Sequence, residues 1–192
     1  MPSLRDGTEP IIGHGSVYLR SGERADVPRF VAWMNDYRTS RTLSVVSPIS
    51  LAYEEGWFER MLADQGKGGY FFVACLVADD RPIGTIGLFD FDPVNGNAGL
   101  GISIGEEANR GKGHGTDMLR ALLAFAFASL RLERVWLDVY GFNDRARRVY
   151  ERVGFVEEGI LRHAVYREGG FVDVHRMAIL ADEWRASVES GA

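Results

Sequence analysis

The residues best suited to chemistry cluster at Arg110-Gly111-Lys112-Gly113-His114-Gly115-Thr116, between an apolar run ending at Ile104 and an apolar-periodic segment from Asp117 to Leu130. Three glycines in alternate positions let the backbone take positive φ and approach a ligand closely. A strand, a glycine-rich turn and a helix start make an anion site, because the helix offers unpaired N–H groups and the positive end of its dipole. Two nucleotide motifs fail here on spacing. The P-loop G-x-x-x-x-G-K-[ST] fails because counting on from Gly105 reaches Arg110, and because Lys112 is followed by Gly113. The dinucleotide fingerprint G-x-G-x-x-G fails because Thr116 stands where the third glycine is required. What remains is R-x-x-G-x-G across Arg110, Gly113 and Gly115, a pattern that an ordinary glycine-rich turn would also satisfy. Elsewhere, Cys75 lies inside an apolar run and reads as a small buried hydrophobe, and the four scattered histidines make no metal site.

Those residues depend on the elements around them. Ser16 to Arg20 reads as a short strand, and Ser21-Gly22 as a turn. Val27, Phe30, Val31 and Met34 recur at helical spacing, and Pro28 is tolerable only in a first turn, so a helix is expected from near Asp26. After an irregular stretch, Leu51 to Leu62 predicts a second amphipathic helix capped by Ser50, with Glu54 one position beyond the ideal capping-box spacing. Tyr70 to Val77 reads as a central strand, Asp79 to Pro82 as a tight turn and Ile83 to Phe91 as its hairpin partner. Ala98 to Ile104 is the strand that feeds the glycine-rich loop. In the helix that follows, Met118, Leu119, Leu122, Leu123 and Ala126 line one face, which core packing explains without a ligand. Arg134 to Tyr140 alternates as a strand, Arg145 to Val153 reads as a short helix ended by Gly154, and Phe155 to Arg167 and Phe171 to Leu180 read as two long strands. The result is seven strands and four helices in a mixed α/β sheet. Residues 1 to 15 are expected to be a flexible lead-in and 16 to 192 one domain.

The R-x-x-G-x-G loop resembles the pyrophosphate-binding loop of the GNAT superfamily of N-acetyltransferases. The stretch Val139 to Phe155 matches that superfamily's second motif, V-x-x-x-N-x-x-A-x-x-x-Y-x-x-x-G-F, through Val139, Asn143, Ala146, Tyr150, Gly154 and Phe155. Two motifs in register are far more specific than either alone. Leu19-Arg20, the Pro48 and Trp57 region, and the segments Gly154 to Gly159 and Asp173 to Met177 are similar to the Rim-type protein N-terminal acetyltransferases and to polyamine acetyltransferases. The resemblance implies the α/β (α+β) class, a mostly antiparallel seven-stranded sheet flanked by about four helices. It implies acetyl-CoA as co-substrate, with the pantetheine arm along the Leu100, Ile102, Ser103 and Ile104 edge and the pyrophosphate at Arg110, Gly111, Lys112, Gly113, His114, Gly115 and Thr116. Asn143 would hold the pantetheine arm and Tyr150 would donate a proton to the departing thiolate. Acceptor recognition would fall to the first two helices and the Tyr37 to Ser50 stretch, with Trp33, Asn35, Asp36 and Trp57 as lining residues; both tryptophans are equally well explained as core.

The general base is where the resemblance weakens. Related Rim-type proteins often carry Glu within A-E-L-G on this strand, whereas this chain reads Ala98-Gly99-Leu100-Gly101. An amine of pKa about 10.4 is free in about one molecule in 2,500 at pH 7, an apparent cost of about 4.6 kcal/mol, against about 1 to 1.5 for an α-amine. A missing base therefore hurts a polyamine or lysine acetylase more than an α-amine acetylase. Asp90, Asp92 and Glu157 are the substitutes on offer. At 192 residues, with 46% hydrophobic and 26% charged, the chain can bury one sizeable core. Its formal net charge of -5 argues against a broad nucleic-acid face and weakly suits cationic partners. A single cysteine fits a reducing cytosol, and no signal peptide or membrane span is visible. The expected partner is a primary amine, a peptide N-terminus or a small amine, with no metal, no membrane and a plausible homodimer through the late strand edges. A non-catalytic acyl-CoA sensor and an ATP-binding module remain open beside the transferase.

Overall fold

The computed structural model describes residues 11–189. Eight strands form one sheet in the order β1-β2-β3-β4-β5-β6-β8-β7. They are β1 Ile12–His14, β2 Val17–Ser21, β3 Tyr70–Leu76, β4 Pro82–Asp92, β5 Asn97–Ile104, β6 Arg134–Tyr140, β7 Val156–Arg167 and β8 Gly170–Leu180. Six α-helices accompany them: α1 Val27–Asn35, α2 Tyr37–Ser40, α3 Leu51–Asp64, α4 His114–Ala124, α5 Asp144–Val153 and α6 Ala181–Glu189. Every neighbouring pair is antiparallel except β5 and β6.

The count of seven strands and four helices is corrected by β1, α2 and α6, all short. β1 falls within the 1 to 15 lead-in, of which residues 1 to 10 lie outside the described residues; it pairs with β2 from Ile12↔Leu19 to His14↔Val17. α2 is one turn, below the length at which apolar periodicity can register. Pro28 sits in the first turn of α1 as its fixed φ requires. Ser50 caps α3 by accepting from the Tyr53 N–H at 3.1 Å, without the reciprocal carboxylate contact of a capping box.

The alternation of each strand divides the apolar residues between two faces. On one face Ala98, Leu100, Val135, Leu137, Val139, Met177 and Ile179 pack against Met118, Leu119, Leu122 and Leu123 of α4 and Tyr150 and Val153 of α5. Fully burying each such aliphatic side chain is worth about 1.5 to 3 kcal/mol, so α4 is held by four residues at helical spacing. On the other face Val27, Phe30 and Trp33 of α1 and Phe58 of α3 pack over Val73 and Cys75 of β3. α4 fixes the glycine-rich loop on the first face, and α1 and α3 cover part of the second.

Candidate active site

β5 and β6 pair only from Asn97↔Arg134 to Gly99↔Trp136 and then part. β4 remains on the other side of β5 as far as Gly84↔Ile104. The β6-facing edge of Leu100 to Ile104 is thereby left without a strand partner, about 16 Å of backbone at about 3.3 Å per residue. This is the edge expected to receive an extended, amide-bearing ligand as an added strand. The Leu100, Ile102 and Ile104 side chains belong to the core face, so these residues serve the edge through their backbone.

The loop lies at the mouth of that opening. Gly111 and Gly113 adopt φ of +79° and +90°, the left-handed region that favours glycine. Gly113 is the N-cap of α4, so the helix begins at His114, earlier than its apolar pattern shows, and His114, Gly115 and Thr116 form its first turn. Their N–H groups are the orphan donors of that helix start. A Cβ on Gly113 would meet nothing within 4 Å, so the glycine is needed for its dihedral, and the space before the helix stays open.

The individual loop side chains divide by task. Arg110, expected to lend its charge to a pyrophosphate, directs its guanidinium to the Ile104 carbonyl at 3.0 Å, the Thr39 hydroxyl at 2.6 Å and the Arg38 carbonyl at 3.1 Å. It braces the end of β5 against α2. Burial, and then the nearby Arg145, lower its pKa, which still leaves a guanidinium charged. Lys112 is exposed. Arg145 is a second cation at the loop, its Nη2 lying 3.1 Å from the position a Cβ on Gly111 would take. It occupies an unspecified position of the second motif, and only the packing of α5 beside the loop reveals it. His114 is tied through Nδ1 to the Ser16 hydroxyl at 2.8 Å, and that hydroxyl also reaches Asp117 at 2.8 Å. Because a carboxylate can only accept, the chain runs from His114 Nδ1–H to Ser16 to Asp117. Burial lowers the His114 pKa, keeping the ring neutral near pH 7.

The second motif sits on the same side. Asn143 caps α5, its Oδ1 accepting from the Ala146 N–H at 3.3 Å. That cap uses the amide oxygen and leaves the Nδ2 donors outside it. Tyr150 lies inside the core cluster, edge-on to Phe155 with ring centroids 5.9 Å apart, and burial pushes its pKa up to about 12. Its phenol is therefore protonated throughout the physiological range.

On the opposite face, Gly99 lies under the ring of Phe89, which a Cβ at position 99 would overlap. Phe89 stands edge-on to Trp136 at 5.2 Å, and the Arg176 guanidinium stacks on Trp136 at 4.0 Å while holding Asp138 at 2.7 and 2.8 Å. An aromatic ring thus fills the space beside Gly99, where the resemblance led to the expectation of a carboxylate. Of the substitute carboxylates, Asp92 closes its own turn through Val94 and Asn95, and those hydrogen bonds, the Asn95 amide first, lower its pKa. Glu157 hydrogen-bonds His175 Nδ1 at 2.6 Å. Asp90 is exposed at a β4 bulge with φ of +48°.

Of the expected acceptor residues, Trp33 is buried against Gly105, Asn35 clasps both the N–H and C=O of Ile49 at 2.8 and 2.9 Å, and Asp36 caps α2 through the Arg38 N–H. These three position the Tyr37 to Ser50 segment. Trp57 alone stays half-buried, edge-on to Phe71 at 5.3 Å. The segment itself forms a cavity of about 560 Å³ lined by Ser44, Val45, Val46, Pro48, Ile49, Ser50 and Tyr53. The β7–β8 turn closes over it: Glu168 takes the Tyr37 hydroxyl at 3.1 Å and Arg41 at 2.7 Å, and Arg167 donates to the Leu43 and Ser44 carbonyls.

Comparison of the sequence with known protein families identifies the domain that carries this arrangement. Residues 16–156 match the acetyltransferase (GNAT) domain model. The chain belongs to the GNAT acetyltransferase family. It is 34% identical over 117 residues to the SPbeta prophage-derived uncharacterized N-acetyltransferase YokL of Bacillus subtilis, covering 61% of this chain and 63% of that one. With the putative ribosomal N-acetyltransferase YdaF of the same organism it shares 38% over 111 residues, 58% of this chain and 60% of that one. These two matches span less than two thirds of either relative. The spermidine N(1)-acetyltransferase of Vibrio cholerae is 29% identical over 169 residues, 86% of this chain and 94% of that one. The crystal structure of the Vibrio cholerae spermidine N-acetyltransferase in complex with CoA and spermine superposes with a TM-score of 0.83 at 26% identity, covering 88% and 98% of the two chains. Among the described residues no group of three or more His, Cys, Asp or Glu is placed to hold a metal ion, and no helix is long and apolar enough to cross a membrane.

Proposed function

We propose that this protein is an acetyl-CoA-dependent N-acetyltransferase that moves an acetyl group to a primary amine, either a peptide N-terminus or a small amine, in the cytoplasm. The observation that carries the reading is the parting of β6 from β5 beyond Gly99, with the α4 N-terminus at its mouth and Tyr150 on the coenzyme side. Acetyl-CoA supplies the activated thioester. The Leu100 to Ile104 backbone holds the amide-bearing arm, and a β5 N–H near Ile102 or Ser103 stabilises the oxyanion. The α4 N-terminus, Lys112 and Arg145 meet the pyrophosphate charge. Asn143 donates to the arm. As the amine nitrogen bonds to the carbonyl carbon and the C–S bond breaks, Tyr150 gives its proton to the thiolate sulfur, the amine's excess proton leaves to water or a carboxylate, and the phenolate regains a proton from water to close the cycle.

Of the two acceptor classes, the small amine finds support in the spermidine acetyltransferase relatives, and the peptide N-terminus in the putative ribosomal acetyltransferase. A panel of N-terminal peptides, polyamines and aminoglycosides, assayed for free CoA, tests the reading. Turnover is expected with at least one class. Acetyl-CoA binding without turnover on any amine would favour the sensor, and stronger thermal stabilisation by ATP than by CoA would overturn both. The homodimer reading finds support in β7, an edge strand exposed along most of its length with Val156, Ile160 and Leu161 open to solvent. Sedimentation giving a monomer mass at micromolar concentration would remove it.

A further inference from the structure

Where β6 leaves β5, strand register sets three rows on the sheet face opposite α4 and α5: Phe89 beside Gly99, Gly87 beside Gly101 and Thr85 beside Ser103. Residues two apart on a strand share a face, so these six make one floor next to the parted edge. The Phe89 ring spans two of the rows. A Cβ on Gly99 would overlap it at 2.4 Å, and one on Gly101 would touch it at 3.8 Å. The ring is 41% exposed, so it meets what enters. None of the six side chains is a carboxylate or an imidazole. The polar ones are the Thr85 and Ser103 hydroxyls, which can orient an N–H but take no proton from an ammonium near pH 7.

The charges that border the floor are already engaged. Trp136 continues the aromatic surface across the Gly99 row, edge-on to Phe89 at 5.2 Å. One face of its indole, which would otherwise draw an ammonium, carries the Arg176 guanidinium at 4.0 Å. Asp138 holds that same guanidinium at 2.7 and 2.8 Å, and Glu158 holds Arg134. Asp90, next to Phe89 on β4, is exposed and adds its charge to those around Arg176. An ammonium laid on this floor would lose water and gain no carboxylate from it, a penalty that a neutral amine is spared. An amine of pKa about 10.4 is neutral in about one molecule in 2,500 at pH 7, and one of pKa about 8 in about one in ten. The weaker base thus starts with an advantage of about 200-fold.

We propose that this floor selects a weakly basic primary amine, delivered to the thioester already neutral, and that Phe89 is the residue that sets the selection. The lone pair of the amine bonds to the carbonyl carbon, the C–S bond breaks, and the proton shed by nitrogen goes to bulk water. This selection rests on the N-acetyltransferase reading. The test measures kcat/KM by CoA release from about pH 6.5 to about pH 10 for phenethylamine, its β,β-difluoro analogue of lower basicity, and every amine of the panel that turns over. Each profile should rise about tenfold per pH unit and level at that amine's own pKa, taken from its NMR titration. At pH 7 the difluoro compound should lead its parent by about tenfold or more. Phe89→Glu, which sets a carboxylate on the floor, should raise kcat/KM for the parent amine at pH 7 by about tenfold or more, while Phe89→Gln should not. A break at one pH shared by amines of different basicity, or the parent ahead at pH 7, overturns the selection and leaves the transferase standing. Equal rates in folded Phe89→Glu and Phe89→Gln overturn the assignment to Phe89. Acetyl-CoA bound with no CoA released on any amine overturns the transferase, and the selection with it.

Discussion

Tyr150 keeps its proton because its ring is buried between α5 and the sheet, and the phenol is pushed up to about 12. A donor of that pKa loses less than about a tenth of its protons below about pH 11, so Tyr150 imposes no alkaline fall in rate across the assay range. Replacing it with Phe should lower turnover by about 10²-fold or more with acetyl-CoA affinity little changed, read as kcat against Kd. Unaltered turnover would remove Tyr150 from the mechanism. The shared placement of Tyr150 and Asn143 is legible because the motif spaces them along α5 and its cap. Arg110 was legible as a charge but not as a brace, because its partners on Thr39 and Arg38 are about seventy positions away in sequence and meet it only once α2 folds over β5. Glu54 stands one position beyond the capping-box spacing, and its burial follows only from α1 packing beside α3.

At the scale of elements, the parting of β5 and β6 makes the opening, and Gly99 marks where it begins. The Phe89 ring fills the space above Gly99 and gains its edge contact with Trp136 there. Gly99→Ala should therefore push Phe89 off Trp136 and lower stability by about 1 kcal/mol, the worth of one aromatic pair. In a Phe89→Ala background the same change should cost nothing, since its obstacle is gone. Equal costs in the two backgrounds, measured by denaturant unfolding, would show that the ring does not exclude a side chain there. The dihedral at Gly113 makes a parallel case. Gly113→Ala should cost about 1 kcal/mol of left-handed strain and weaken CoA binding by calorimetry, because the first turn of α4 would re-aim its N–H groups. Unchanged CoA affinity would mean that the loop's backbone does not hold the coenzyme. The long strands and α1, α3, α4 and α5 were legible from their periods of two and 3.6. The parting itself was not, because strand pairing beyond Gly99 depends on where β6 is carried by β8.

At the scale of the molecule, the sheet separates two tasks that meet only at the opening. The face of α4 and α5 carries the loop, Asn143 and Tyr150, while the face of α1 and α3 carries Trp33, Phe58 and Trp57. The β7–β8 turn ties the Tyr37 to Ser50 segment to the end of β6, with Arg167 over Tyr140 at 5.5 Å and Arg41 over Phe142 at 5.2 Å. The motifs mark the α4 and α5 face, whereas the Tyr37 to Ser50 segment is held by contacts between elements distant in sequence. The most direct test of the transferase reading follows both products of one turnover: free CoA by thiol titration, and the amine by mass spectrometry. The geometry predicts one acetyl group on an amine nitrogen for each CoA released, dependent on Tyr150. CoA released without an acetylated amine, or acetyl-CoA bound and left intact with every amine offered, would contradict it.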